Sequence, residues 1–335
     1  MLLSLAARRR VLVVGGKGGV GKTSVASAVA LDQARTGRRV LLVSTDPAHN
    51  LAHLWGVPVG DQGARVAPRL EAVEIDPARA TASHLAAVRE TLRRAVPEHL
   101  TREVDRHLEL ARDAPGMHEA AVLERLGEVI DRGAAEADLV VVDTAPSGHT
   151  AHLLGLPEQM GRWTDGLLRR HERTRRLDVA RANLGDEEAA AVLGPARAGR
   201  FARGARARGR ESRGLEIREV LERRRALLTR LRGTLTDPST TAFVVVLVAE
   251  HLPVLESVEL VEQLGGTGVP VAGLVVNRRS PAQGDLLTAR RAVEDGQLAA
   301  IRSALPGVPL VEVPLLAGEV VGVDGVERLA DVLQA

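Results

Sequence analysis

The chain has 335 residues, a formal net charge of +2 at pH 7 and no cysteine. Without cysteine it cannot build a thiolate site for a soft metal or metalloid ion, a Cys-x-x-Cys zinc clasp or a cysteine-ligated iron–sulfur cluster. Of its 45 basic residues only Lys17 and Lys22 are lysines. A compact ammonium fits against a phosphate chain where a planar guanidinium does not. The placement of both lysines in one short loop therefore predicts a nucleotide site.

The loop at residues 16–23, Gly-Lys-Gly-Gly-Val-Gly-Lys-Thr, matches the phosphate-binding pattern G-x-x-x-x-G-K-[ST]. In this pattern the glycines let backbone N–H groups turn onto the phosphates, Lys22 binds the β- and γ-phosphates, and the hydroxyl of Thr23 binds Mg²⁺. An apolar strand is predicted over 10–15, and a helix begins near Ser24. This order directs the positive end of the helix dipole at the bound anion.

Lys17 distinguishes this loop from an ordinary P-loop. It follows the first glycine directly and lies too far around the turn to serve the β-phosphate of its own nucleotide. We expect it to reach across an interface to the nucleotide of a second subunit, as an arginine finger does in trans. The sequence contains no second P-loop, so two nucleotide sites require a homodimer.

Two aspartates at the ends of predicted strands complete the site. Asp46 follows the strand at 38–44, and Asp143 ends the strand at 137–143. Carboxylates at the C-terminal ends of strands face the crevice where ligands bind in open α/β sheets. We expect Asp46 to orient the attacking water, with an Asx turn as the alternative, and Asp143 to hold water bound to Mg²⁺. The Pro- and Gly-rich segment 144–150 is the kind of loop that changes conformation when the γ-phosphate leaves.

Three motifs resemble those of the arsenite-pump ATPases and tail-anchored-protein targeting ATPases, a family with this deviant form of the P-loop. They are GKGGVGKTS at 16–24, VSTDPAHNL at 43–51 and DTAPSGHT at 143–150, and they occur in the family's order. Weaker matches extend the resemblance over nearly the whole chain. It implies a Mg²⁺-dependent ATPase that works as a homodimer, closing on ATP and opening on ADP.

The resemblance also implies a role for each matching residue. Catalytic roles fall to Asp46, Lys17 and Lys22. Thr23 would bind Mg²⁺, and Asp143 would support the ion from behind its bound water. The cofactors that the resemblance implies are ATP and Mg²⁺, whereas the absence of cysteine excludes zinc or arsenite bound through thiolates. Nucleotide contacts fall to Gly16, Gly18, Gly19, Val20, Gly21, Lys22, Thr23, Ser24 and Asn277, the last of these at the adenine.

The whole chain, 1–335, is predicted to form a single α/β P-loop ATPase domain, with a doubly wound, mainly parallel sheet covered by helices on both faces. Helical insertions at about 77–133 and 157–233 are predicted to form one subdomain. Apolar residues at helical spacing in the first insertion are predicted to lie in the core, namely Leu85, Val88, Leu92, Leu123, Leu126 and Ile130. The predicted strands are 10–15, 38–44, 70–75, 137–143, 242–248, 269–276 and 309–313.

Arginine and glycine dominate residues 195–214. Closely spaced glycines disfavour a stable helix, so we predict a mobile loop. It is either a solvated insert or a contact site for an anionic membrane, nucleic acid or an acidic partner, and the scarcity of aromatic residues disfavours nucleic acid. No segment is long enough to span a bilayer, and apolar residues 1–7 precede their arginines, the wrong order for a signal peptide. We therefore expect a cytoplasmic protein with at most transient membrane contact.

Three functions remain open on the sequence. The first is an ATPase whose nucleotide-gated homodimer binds a client, as in membrane-protein targeting, although three methionines are few for an adaptable apolar groove. The second is a positioning ATPase of the partition or septum-site type that binds membrane or DNA through the arginine-rich insert. The third is the ATPase subunit of an anion or metalloid pump without thiol ligands. ATP hydrolysis is common to all three.

Overall fold

A computed structural model of the protein describes residues 1–46, 50–95, 101–114, 116–145, 219–220 and 222–334. The strands within them are β1 (Val11–Gly15), β2 (Val40–Ser44), β3 (Ala64–Ala67), β4 (Leu70–Glu74), β5 (Leu139–Asp143), β6 (Thr241–Val248), β7 (Val271–Arg279) and β8 (Leu310–Pro314). They form one sheet in the order β3-β4-β2-β5-β1-β6-β7-β8. Neighbouring strands run parallel except β3 and β4, an antiparallel hairpin at one edge. The predicted doubly wound, mainly parallel α/β fold is confirmed.

The central strands β1, β2, β5 and β6 are almost wholly apolar and water does not reach them. Every residue of β1, β2 and β5 is buried, and only the last residue of β6 is partly exposed. Helices cover both faces of a parallel sheet, so its strands lose the polar–apolar alternation of a half-exposed sheet. Because of this, the sequence predicts these strands to within two residues at either end.

Two features of the sheet's outer strands differ from the prediction. Strand β3 was not predicted, because four half-exposed or exposed residues, Ala64–Ala67, give too short a pattern. Strand β7 runs three residues beyond its predicted end and finishes at Arg279. That arginine is buried because its guanidinium pairs with Glu294 at 2.6 Å, Asp295 at 2.5 Å and Glu312 at 2.8 Å. A buried charge is tolerated when it is paired in this way.

Helices follow most of the parallel strands along the described chain, in the predicted alternating pattern. Helix α2 packs against the sheet and against α10, and Val25, Ala26 and Val29 are fully buried there. No helix in the described part of the chain is both long and apolar enough to cross a bilayer. The bounds are α1 (Leu2–Arg8), α2 (Lys22–Arg35), α3 (Asn50–Trp55), α4 (Pro77–Ala95), α5 (Thr101–Arg112), α6 (Met117–Glu136), α7 (222–236), α8 (His251–Gly266), α9 (Gly284–Ala304) and α10 (Gly322–Gln334).

The described chain divides into two compact units. In the first unit Leu123, Leu126 and Ile130 of α6 are buried, as the sequence predicted for core residues. Leu85 and Val88 of α4, predicted to be core residues as well, are only partly buried, and the side chain of Leu92 lies outside the described part of the structure. The assembly of both insertions into one helical subdomain stays a prediction, and residues 195–214 lie outside the described part of the chain. Where described, the first unit comprises 1–80, 118–157 and 230–335, and the second comprises 81–117 and 158–229.

Candidate nucleotide-binding site

The C-terminal ends of β1, β2 and β5 meet at one edge of the sheet, as the parallel topology requires. Backbone hydrogen bonds join the three ends: Thr45 N–H donates to the Asp143 carbonyl at 3.0 Å, and Thr144 N–H donates to the Val14 carbonyl at 3.1 Å. The Thr45 hydroxyl also accepts from Ala145 N–H at 3.2 Å. The P-loop and the segments after β2 and β5 therefore open onto one crevice.

Strands β6 and β7 approach the P-loop so closely that two of its positions have room only for glycine. A Cβ atom on Gly16, whose φ is +139°, would lie 2.1 Å from the carbonyl oxygen of Val246 in β6. A Cβ atom on Gly21, whose φ is +95°, would lie 2.3 Å from Nδ2 of Asn277 in β7. At Gly19, in contrast, no described atom lies within 4 Å of the position that a Cβ would take. The loop is thus held against the sheet on one side and has room for a phosphate chain on the other.

Helix α2 begins at Lys22, and its N-cap is Gly21, which has no side chain to cap the helix. The first turn, which includes Thr23 and Ser24, carries no acidic residue. The first N–H groups of a helix have no partner within the helix. Together with the helix dipole they make this end of α2 an anion site. The residues that the sequence predicted to contact phosphate are those that surround it.

The side chain of Lys22 points into the site and is only 4% exposed. Its Nζ donates to the backbone carbonyl of Lys17 at 3.1 Å, so the loop wraps around the ammonium. Burial lowers the pKa of Lys22, whereas the carboxylates of Asp143 and Asp46 act in the opposite direction. The ammonium therefore stands in the field of two aspartates, where an incoming phosphate chain can bind it.

Asp143 lies at the bottom of the site and is fully buried. Its Oδ2 accepts hydrogen bonds from the hydroxyls of Thr23 at 2.7 Å and Ser44 at 3.3 Å. Its Oδ1 is buried and has no hydrogen-bond partner among the described residues. Burial raises the pKa of Asp143 to about 7, opposed by the hydrogen bond from Thr23 and the charge of Lys22. A hydroxyl beside a carboxylate with one unmatched oxygen suits Mg²⁺, which prefers oxygen ligands and keeps several of its waters.

Asp46 is brought to the same site by the end of β2. It is buried, its backbone N–H donates to the Ser44 hydroxyl at 3.2 Å, and its charge acts on both Lys22 and Asp143. The next residues, 47–49, lie outside the described part of the chain. The structure therefore places Asp46 in the same site as Lys22 and Asp143. Its role towards water stays a prediction.

Lys17 differs from Lys22 in its surroundings although both lie in the same loop. Its side chain is 44% exposed, and its ammonium forms an ion pair with Glu256 on helix α8 of its own chain. It is not enclosed by the loop as Lys22 is. Its predicted reach to a second subunit's nucleotide stays a prediction.

Asn277 supports the loop from β7. Its Nδ2 donates to the backbone carbonyl of Val20 at 2.9 Å, and its Oδ1 accepts from Arg278 N–H at 2.9 Å. This support of the P-loop was not predicted, and the predicted contact with adenine stays a prediction. The close fit between Asn277 and Gly21 leaves no room for a side chain at position 21.

Sequence reasoning assigned no role to Ser44, Thr45 or Glu256. Ser44 and Thr45 both form hydrogen bonds with Asp143, and Glu256 pairs with Lys17. A signal for the first two exists, because two hydroxyl residues directly precede Asp46 at the end of a buried strand, in the motif VSTDPAHNL. Glu256 has no comparable signal, because its partner is 239 residues away in the sequence.

This strand–loop–helix with its lysine, hydroxyl and aspartates defines a P-loop nucleotide hydrolase. The family model for anion-transporting ATPases matches residues 9–193 and 201–335, and the chain belongs to that family. It is an ATPase.

Relatives match along most of their length. One relative is an Aquifex aeolicus protein with the provisional name arsenical pump-driving ATPase 2. It is 27% identical over 326 residues, which are 97% of this chain and 99% of the relative. ATPase get3 of Aspergillus terreus is 28% identical over 331 residues, 97% and 90% of the two chains. The ATPase ASNA1 homolog of Trypanosoma cruzi is 30% identical over 351 residues, 96% and 90% of the two chains.

Proposed function

We propose that this ATPase depends on Mg²⁺, acts as a cytoplasmic homodimer that closes on ATP, and uses hydrolysis to control the binding of a membrane-protein client. The ATPase activity follows from the family. The dimer, the metal dependence and the client are the parts that we propose.

The contrast between the two lysines of the loop carries the proposal for a dimer. Lys22 is 4% exposed and faces the phosphate site, whereas the Lys17 side chain is 44% exposed and lies outside it. The Lys17 ammonium is partly exposed and is paired with Glu256 and not with its own chain's phosphate site, so a nucleotide on another chain can compete for it. Because the 335 residues contain one P-loop, that nucleotide belongs to a second copy of this protein.

The residues of the site have separable tasks in hydrolysis. Lys22 exchanges its bond with the Lys17 carbonyl for the β- and γ-phosphate oxygens, and the N–H groups at the start of α2 bind the same phosphates. Thr23 would bind Mg²⁺ and Asp143 would support the ion from behind its bound water, and the ion would neutralise charge that builds on those oxygens. Asp46 accepts a hydrogen bond from the attacking water and so holds it in line with the γ-phosphorus.

Resemblance to the tail-anchored-protein targeting ATPases supports a membrane-protein client. The segments 47–49 and 146–150, which continue from the ends of β2 and β5, would carry the nucleotide state to the client site. Pump function through thiol ligands is chemically closed to a chain without cysteine. The positioning alternative depends on residues 195–214, outside the described part, and no described feature favours it.

The client is tested with a fluorescent peptide that carries a single C-terminal apolar span, titrated in detergent below its micelle concentration. We expect binding to the Asp46→Asn protein with Mg·ATP to be at least about tenfold tighter than with Mg·ADP, the size of a typical coupling free energy between two sites. A peptide of the same composition with charges distributed through the span is the control. Equal or absent binding of the apolar peptide in every nucleotide state would contradict the client.

A further inference from the structure

Glu256 holds Lys17 inside its own chain. The ammonium of Lys17 and Oε1 of Glu256 form an ion pair across 239 residues of sequence, with side-chain exposures of 44% and 32%. Lys17 is also held through its backbone, because its carbonyl oxygen accepts the 3.1 Å hydrogen bond from Lys22. The lysine proposed to serve a second subunit is therefore engaged twice within the first.

The position of Glu256 is fixed by the strand that also supports the P-loop. Strand β6 presents the Val246 carbonyl to Gly16, and the chain then enters α8 two residues after β6 ends. Val254 and Ser257 of α8 are buried and orient the helix. Strand β6 thus positions both the P-loop and Glu256. The ion pair between Lys17 and Glu256 is therefore part of the fold and does not depend on a mobile loop.

The ion pair is suited to exchange. Oε1 of Glu256 meets Lys17, but Oε2 is buried and has no hydrogen-bond partner among the described residues. A carboxylate with one unmatched buried oxygen is held less firmly than a fully satisfied one. Partly exposed ion pairs are weak in any case, whereas an ammonium bound to phosphate gains a short, charge-assisted hydrogen bond.

We propose that Glu256 is a positioning residue that holds Lys17 in a resting state and releases it when ATP drives closure. The proposal rests on the proposed function, in which Lys17 serves the partner's nucleotide. When ATP binds to the P-loop of the same chain, its phosphate replaces the Lys17 carbonyl as the partner of the Lys22 ammonium. The backbone of Lys17 is then free to move. The partner's phosphate then replaces Glu256 as the anion bound to Lys17.

The size of the effect follows from the kind of contact. A partly exposed ion pair shifts an equilibrium by up to about fivefold. When only a fraction of the protein is competent to bind, the apparent affinity is reduced by that fraction. Removing the carboxylate charge with Glu256→Gln should therefore tighten binding of a Mg-bound ATP analogue by about two- to fivefold.

The experiment is a fluorescence titration with Mg·mant-AMP-PNP, which the protein cannot hydrolyse. Wild type and Glu256→Gln are compared in two backgrounds, with Lys17 present and with Lys17→Ala. Glu262→Gln removes the same charge from an exposed position further along α8 and is the matched control. Thermal unfolding midpoints and the affinity for mant-ADP confirm that each variant retains its fold and site.

We expect Glu256→Gln to tighten binding when Lys17 is present and to have no effect in the Lys17→Ala background. If the tightening persists without Lys17, Glu256 merely repels the nucleotide and the proposed hold is wrong. Binding that is unchanged or weaker when Lys17 is present also overturns it. In steady-state hydrolysis the expected effect is a lower KM for Mg·ATP at similar kcat, which general damage to the fold would not produce.

Failure of this inference and failure of the proposed function give different results. If Lys17→Ala alone hydrolyses ATP at the wild-type rate, the trans role of Lys17 is wrong whatever Glu256 does. If Lys17→Ala is inactive and Glu256→Gln behaves as wild type, the trans role stands and only the hold by Glu256 is wrong.

Discussion

The hydroxyl of Thr23, in the first turn of α2, donates a 2.7 Å hydrogen bond to Asp143, 120 residues further along the chain. This contact joins the P-loop, which follows β1, to the end of β5, the strand that pairs with β1 in the sheet. The other oxygen of the carboxylate, Oδ1, is buried without a partner among the described residues. The pair therefore links the P-loop to the strand that leads into segment 144–150, at the place where Mg²⁺ would lie.

Replacing Thr23 with Val removes the hydroxyl and keeps the shape of the side chain. We expect the nucleotide affinity of Thr23→Val to be no longer raised by Mg²⁺, and hydrolysis to fall by about 100-fold, since loss of a group that orients a metal has effects of this size. Thr23→Ser keeps the hydroxyl and should retain most activity. The measurement is nucleotide affinity by calorimetry with and without Mg²⁺, and a full Mg²⁺ effect in Thr23→Val would contradict the assignment.

Asp143 should make the stability of the metal-free protein depend on pH. Its pKa rises from 3.8 to about 7 on folding, so between these values the folded state keeps a proton that the unfolded chain releases. The free energy of unfolding should therefore fall as pH rises through this window, by at most ~1.4 kcal/mol per pH unit from this group. Its stabilising contribution is complete below about pH 4 and lost above about pH 7.

The isosteric variant Asp143→Asn cannot ionise and should lack this part of the pH dependence. Urea unfolding of both proteins in chelator between about pH 4.5 and 7.5 tests this, with the difference in free energy of unfolding plotted against pH. Parallel curves for the two proteins would show that Asp143 is already ionised in the fold.

Lys22 should not tolerate arginine although arginine supplies nearly all positive charge elsewhere in the chain. Its side chain is 4% exposed and enclosed by the loop, so a wider planar guanidinium must displace its surroundings, at a cost of about 1–3 kcal/mol. We expect Lys22→Arg to lose ATP hydrolysis and most nucleotide affinity. Lys17→Arg makes the same change at a partly exposed position in the same loop and should keep nucleotide binding. Equal nucleotide affinity in the two variants would contradict this difference.

Gly21→Ala should destabilise the fold more than Gly19→Ala. Both glycines have positive φ, at +95° and +80°, but only at Gly21 would the new Cβ meet another atom, Nδ2 of Asn277 at 2.3 Å. The overlap should lower the free energy of unfolding by a further ~1–3 kcal/mol, measured by urea denaturation. Adding Asn277→Ala should remove this excess while the backbone strain remains. An excess that survives Asn277→Ala would place its cause elsewhere.

The sequence predicts the sheet well because burial on both faces removes ambiguity. The apolar runs that form β1, β2, β5 and β6 are bounded by polar or glycine residues and alternate with helical segments. Once those strands are taken as parallel, Asp46 and Asp143 must lie at the same edge of the sheet as the P-loop, because the C-terminal ends of parallel strands share one edge. The strand order β2-β5-β1 then makes them neighbours. The structure brings these residues to one crevice as predicted.

The remaining contacts are invisible to the sequence pattern for two physical reasons. The bond from Asn277 to the Val20 carbonyl involves a backbone atom, which every residue has and no pattern marks. The ion pair of Lys17 with Glu256 joins segments that meet only because β6 lies beside β1. Strand β3 was missed because a short edge strand with partial exposure has too few residues for a periodic signal.

The central claim, that Lys17 of one chain completes the site of another, is tested most directly by mixing two inactive variants. Lys17→Ala keeps Asp46 but lacks the ammonium that it would lend to its partner. Asp46→Asn keeps Lys17 but lacks the carboxylate that orients water. Each alone should hydrolyse ATP at a small fraction of the wild-type rate.

In a mixed dimer, the site on the Lys17→Ala chain has its own Asp46 and receives Lys17 from the Asp46→Asn chain. An equimolar mixture, in which about half the dimers are mixed and each has one complete site, should regain about a quarter of wild-type hydrolysis. The measurement is the steady-state rate at saturating Mg·ATP after exchange of subunits, with each variant alone at the same total concentration as control. A rate equal to the average of the two separate variants would contradict a site shared between chains.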